Sequence, residues 1–146
     1  METVVRAEAL EVANRLRPAL LKLARELRRE SHALGVTGGQ VTLLIQIRKR
    51  RGIGVRDLAA LERMSPAAMS GYVDRLEKAG LVLRTPDVND RRSHGLSMTC
   101  EGERVLRSVR SRRTALLAAR LERLTPEELE AVDAAVEPML RLLEDE

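Results

Sequence analysis

A chain of 146 residues is long enough for one domain with a real core and too short for a comfortable pair of independent domains. With 44% hydrophobic and 33% charged residues it is neither disordered nor collagen-like, no apolar run approaches the ~18 residues of a membrane span, and its single cysteine, Cys100, excludes an internal disulfide or a zinc cluster. The net charge of +4 is unevenly spread, at +2 over residues 1–47, +9 over 48–123 and −7 over 124–146, so the middle of the chain is built to attract a polyanion.

Met1 to Leu16 carries acids and bases throughout and has no apolar stretch of signal-peptide type, so a cytoplasmic location is expected. Apolar residues at Val12, Leu16, Leu20, Leu23 and Leu27 step by helical intervals and predict a long first helix. Pro18 predicts a kink or a division in it, and Leu34-Gly35 its end. Thr37-Gly38-Gly39-Gln40 reads as a capping box opening a second helix to about Arg50, where Arg48, Lys49, Arg50 and Arg51 favour the negative end of the dipole and Gly52 closes it. Gly-Gly-Gln also resembles the catalytic loop of translation release factors, but that loop stands alone and exposed, whereas here an apolar run follows at once.

Two short helices come next. Val55 to Met64 is the first, with Leu58, Leu61 and Met64 facing inward; Ser65 caps the second, Pro66 fills its first position, and it runs through Met69, Tyr72, Val73 and Leu76 to Ala79-Gly80. A short helix, a turn and a well-capped second helix form the helix-turn-helix pattern. Beyond Gly80 the period changes to two: Leu81 to Thr85 and His94 to Met98 predict a hairpin around Pro86-Asp87-Val88-Asn89-Asp90, with Arg91 and Arg92 near its tip and His94, Leu96 and Met98 on one face. Thr99 caps a helix running to about Leu124, and Thr125-Pro126-Glu127-Glu128 is a second capping box, opening a last helix whose apolar stations are Leu129, Val132, Val136, Met139 and Leu143. The fold class is mainly α with a small β-hairpin.

That order of elements, and above all the run Ser65 to Val82, Asn89-Asp-Arg-Arg-Ser and Leu96-Ser-Met-Thr-Cys-Glu-Gly, resembles the MarR family of bacterial transcriptional regulators across nearly the whole chain. The resemblance implies a winged helix-turn-helix with N- and C-terminal dimerisation helices: a homodimer whose two lobes read a pseudopalindromic operator in double-stranded DNA, often released by a small-molecule effector. About 38–99 would be the DNA-binding lobe of a single domain spanning 1–146, and about 1–34 and 100–146 the dimerisation helices. The function expected is that of a sequence-specific transcriptional regulator, a repressor, with a low-specificity DNA-architectural protein as the alternative.

Carried over by position, the second helix of the motif would enter the major groove with its N-terminal end nearest the bases. Ser65 and Ser70 then become candidates for phosphate contacts, Ala67 and Ala68 for close apolar approach to bases, and Arg75 for phosphate or for bracing the wing. Asp90, Arg91 and Arg92 match the wing-tip signature, with Arg92 in the minor groove and Arg91 on phosphate. Gly71 departs from the basic residue of many relatives, which removes one route to a guanine contact. One Tyr, Tyr72, and no Phe or Trp leave no stacking platform for unpaired bases, so the nucleic acid expected is duplex. Neither a nucleotide loop, a nucleophile elbow nor a zinc-binding His pair is present, so neither catalysis nor a cofactor or metal is expected. Cys100 sits far from the position of the family's peroxide-sensing cysteine, and His32 lies where the family's ligand crevice often forms.

Overall fold

The computed structural model describes residues 1–86 and 94–144, with the side chain of His94 left aside. Helix α1 (Glu2–Arg29) leads through a single 3-10 turn (His32–Leu34) into α2 (Gly38–Lys49), α3 (Val55–Leu61) and α4 (Pro66–Lys78). Strands β1 (Val82–Pro86) and β2 (His94–Met98) follow, then α5 (Cys100–Leu121) and α6 (Pro126–Arg141). The strands pair antiparallel in the register Val82–Met98, Arg84–Leu96 and Pro86–His94. Ile53 adds a bridge to Leu96, with Gly52 N–H donating to the Leu96 carbonyl at 2.9 Å and Leu96 N–H to the Ile53 carbonyl at 2.8 Å. The loop before α3 is thereby stitched to the hairpin, so helices and wing share one frame.

The helix starts are those the cap residues dictate. Thr37 Oγ1 accepts from Gln40 N–H at 3.1 Å while Gln40 Oε1 accepts from Thr37 N–H at 2.9 Å, and Thr125 and Glu128 repeat the reciprocal pair at α6. Ser65 Oγ accepts from Ala68 N–H at 3.2 Å and fixes the start of α4.

All buried apolar residues among those described lie between Val36 and Val109. Leu44, Leu58, Met69, Val73, Leu76 and Leu96 are wholly enclosed, which joins α2, α3, α4 and the hairpin in one core, and each such side chain contributes about 1.5–3 kcal/mol. The first turns of α5 enter the same core through Val105, Leu106 and Val109. Helices α1 and α6 bury no residue at all. Polar contacts tie α1 to α5: Glu26–Arg120 at 2.9 Å, Glu30–Arg112 at 3.5 Å, and Arg113 Nε donating to the Leu27 carbonyl at 3.2 Å.

One junction admits no added atom. Thr99 N–H donates to the Leu81 carbonyl at 3.1 Å, Thr99 Oγ1 donates to the Gly80 carbonyl at 2.6 Å and accepts from Gly102 N–H at 2.9 Å. A Cβ on Gly102 would stand 2.2 Å from the Leu81 carbonyl oxygen, so α5 approaches the end of α4 as closely as backbone allows.

Three sequence expectations need correction. Pro18 does not divide α1, which is continuous around it; Asn14, whose carbonyl loses its partner, is exposed and open to water. The α-helix ends at Arg29 rather than near Leu34, and Gly35, at φ 75°, closes the 3-10 turn instead. Leu61 does not face inward but is 42% exposed, because α3 ends there and Arg63 turns the chain at φ 52° toward α4.

Candidate nucleic-acid interface

Helix α4 buries Met69, Val73 and Leu76, and at 100° per residue the line directly opposite is Ala67, Gly71, Asp74 and Lys78. Ala68, Tyr72 and Arg75 form one shoulder of that line; Ser70 and Glu77 form the other. Ser65, Ala67, Ala68 and Arg75 are exposed, and Ser70 and Gly71 partly so, which brings these six predicted residues onto one outward surface of one helix. Asp90, Arg91 and Arg92 lie outside the described residues.

The wing is fastened on the Ser70–Glu77 side. Arg84, on β1, pairs with Asp74 and lies 3.7 Å from Glu77 through Nε, which is buried without a hydrogen-bond partner. Among the described residues the wing is braced by Arg84, whose single positive charge offsets part of the negative charge of two carboxylates that would otherwise repel a phosphate backbone. The sequence reading missed Asp74, Glu77 and Arg84. Two acids on a helix expected to face DNA were the signal, since they need a cation close by. Lys78 was also missed, though its step of 4 from Asp74 puts it on the outward line. Arg75 lies instead over the Tyr72 ring, 5.5 Å from its centroid.

Gly71 has an ordinary helical backbone, and a Cβ built there meets nothing within 4 Å. The fold does not require glycine, yet glycine inside a helix costs roughly 0.5–1 kcal/mol relative to alanine. Gly71→Ala is therefore expected to raise thermal stability by about that amount while weakening DNA binding several-fold, because the added methyl stands on the outward line. Thermal unfolding and a binding titration check the two halves; a variant that binds DNA as tightly as the parent removes Gly71 from the contact surface.

A cavity of about 540 Å³ opens between α2 and α5. Val41, Ile45, Leu106 and Val109 give it an apolar floor, and Lys49, Arg110 and Arg113 a cationic rim. Burial, and then the neighbouring Arg28, hold the Arg113 guanidinium below the ordinary arginine pKa.

The sequence model of the MarR family matches residues 36–94, the stretch that contains α2 to the start of β2. The HTH-type transcriptional repressor MdtR of Bacillus subtilis is 33% identical over 108 residues, covering 74% of this chain and 70% of MdtR. The chain belongs to the MarR family. The transcriptional activatory protein BadR of Rhodopseudomonas palustris is 34% identical over 103 residues, covering 66% of this chain and 59% of BadR. The crystal structure of a transcriptional regulator protein from Pseudomonas aeruginosa superposes with a TM-score of 0.82 at 31% identity, covering 95% of this chain and 98% of that one. MarR membership thus agrees with the architecture built from the caps, the core and the hairpin, and it makes this chain a winged-helix transcriptional regulator of a DNA-binding family.

Proposed function

We infer that this MarR-family protein is a sequence-specific repressor that binds a pseudopalindromic duplex operator as a homodimer in the cytoplasm and is released by a small-molecule effector. The observation that carries the reading is the bare outward surface of α4, a helix whose other side is fully packed and whose flank is pinned by Arg84. The division of labour expected from the sequence finds support in the core: it runs from Val36 to Val109, whereas α1 and α6 keep Val12, Leu20, Leu23, Leu129, Val132 and Val136 exposed. Such stripes suit burial against a second copy. A two-fold dimer then sets its recognition helices about one DNA turn, ~34 Å, apart. No helix among the described residues is long and apolar enough to cross a membrane, in keeping with a cytoplasmic site of action. MdtR, named as a repressor, supports that direction of regulation; BadR, named as an activator, is why the direction needs its own reporter assay.

For the effector, the cavity between α2 and α5 favours an amphipathic anion, its apolar body on Val41, Ile45 and Val109 and its charge toward Arg113. The small side chains at Ala67, Ala68 and Gly71 favour a second reading, a DNA-architectural protein with little base discrimination.

Gel-shift titration against the DNA upstream of the protein's own gene, with unrelated duplex as competitor and salt varied, separates the readings. A discrete complex surviving excess competitor, and dissolved by benzoate but not by benzamide, is the expected result. Binding that is smeared, salt-sensitive and equally competed favours the architectural reading, and absence of binding at low salt overturns both.

A further inference from the structure

Tyr72 is the sole aromatic residue of the whole chain, and the fold does not spend it on the core. It stands on α4, 40% exposed, where a leucine would serve helix and packing equally well. Its ring borders a hollow lined by Arg28, Gly38, Thr42, Glu62 and Met64, so neighbouring elements close in on one side of it. On the other lies Arg75, one helical turn on, its guanidinium carbon 5.5 Å from the ring centroid and within cation–π reach. Among the described residues Arg75 has no carboxylate partner, because Asp74 and Glu77 are taken by Arg84.

We propose that Tyr72 is a positioning residue for DNA binding, its ring holding the Arg75 guanidinium on the shoulder of α4 ready for a phosphate. This rests on α4 being the DNA-contacting helix. The physical basis is entropy: an exposed arginine must freeze a long side chain to meet a phosphate, and a ring that already holds the guanidinium by a cation–π contact removes part of that loss. A guanidinium carries five N–H donors, so those not facing the ring remain for a phosphate and the two contacts are compatible.

The test uses the full-length protein and the duplex upstream of its own gene. Tyr72→Leu is expected to weaken binding about three- to fivefold, Tyr72→Phe to stay within about twofold of the parent, and Tyr72→Leu to have no further effect in an Arg75→Ala background. The salt dependence should lose about one unit of slope in Arg75→Ala and remain unchanged in Tyr72→Leu, since the phosphate contact is still made, only less well prepared. A solution readout is independent of DNA. Emission from the single tyrosine should become more accessible to acrylamide in Arg75→Ala, because the guanidinium shields the ring. Tyr72→Met stands in if the leucine variant does not fold. Parental affinity in Tyr72→Leu, with Arg75→Ala impaired, overturns the proposal and spares the DNA-binding reading; so does an undiminished effect of Tyr72→Leu in the Arg75→Ala background. Parental affinity in Arg75→Ala itself removes that arginine from the interface, and with it any role for Tyr72.

Discussion

Leu129→Glu combined with Val136→Glu is expected to give a folded monomer that binds operator DNA at least about a hundredfold more weakly than the parent. Leu129 is 43% and Val136 47% exposed, two turns apart on a helix that buries none of its own residues, so neither substitution removes a contact from the core of the single chain. In a dimer the same positions would be enclosed, and two-fold symmetry would bring four carboxylates into one apolar interface, where each uncompensated charge costs several kcal/mol. Loss of the dimer then severs two half-site contacts that otherwise act at high effective concentration. Light scattering should report the mass of one chain with an unchanged circular-dichroism spectrum, and the gel-shift titration should lose its discrete complex. A monomeric double variant with parental affinity would rule out a dimeric operator complex.

The second large effect is on stability. Gly102→Ala is expected to cost about 1–3 kcal/mol, lowering the unfolding midpoint by roughly 3–10 °C. The added carbon meets the Leu81 carbonyl oxygen at 2.2 Å, and that oxygen cannot easily retreat because it accepts from Thr99 N–H at 3.1 Å. Relief requires either α5 to move off the end of α4 or the Thr99 bond to break. Paired with Gly71→Ala, the substitution makes a controlled contrast: the same chemical change in two helices, destabilising where backbone crowds the site and stabilising where space is open. A Gly102→Ala protein that melts with the parent would show that the junction is looser than its geometry.

Most of the fold was legible because the chain states its helix boundaries chemically. Thr37, Ser65, Thr99 and Thr125 each accept the amide bond their position promised, and the change of period after Gly80 gave the hairpin. What misled was tertiary. Leu61 carries the spacing of an inward residue, but α3 stops at that point, and nothing local distinguishes a final apolar residue that packs from one that does not. Pro18 carries a breaker's signature in a helix whose exposed surface lets water take over the lost bond. For the interface, the residues brought together by α4 alone were readable from helical spacing. The Asp74–Arg84–Glu77 brace was not, since it joins a helix to a strand and its partners are ten and seven positions apart.

The build of α5 has a mechanical consequence. Its first three turns are clamped in the core by Gly102, Val105, Leu106 and Val109, while its second half stands outside the core and is held to α1 by Arg112, Arg113 and Arg120. At 1.5 Å per residue its 22 residues make a rod of ~33 Å, so a tilt of only ~5° displaces one end by ~3 Å relative to the other. The cavity beside Val109 and Arg113 lies where the clamped turns give way to the half of the helix that α1 holds. Filled by the effector proposed above, the cavity would tilt that half against the clamp, and in the proposed symmetric pair two such rods would carry the DNA-contacting lobes in opposite directions, out of step with the pitch of the double helix.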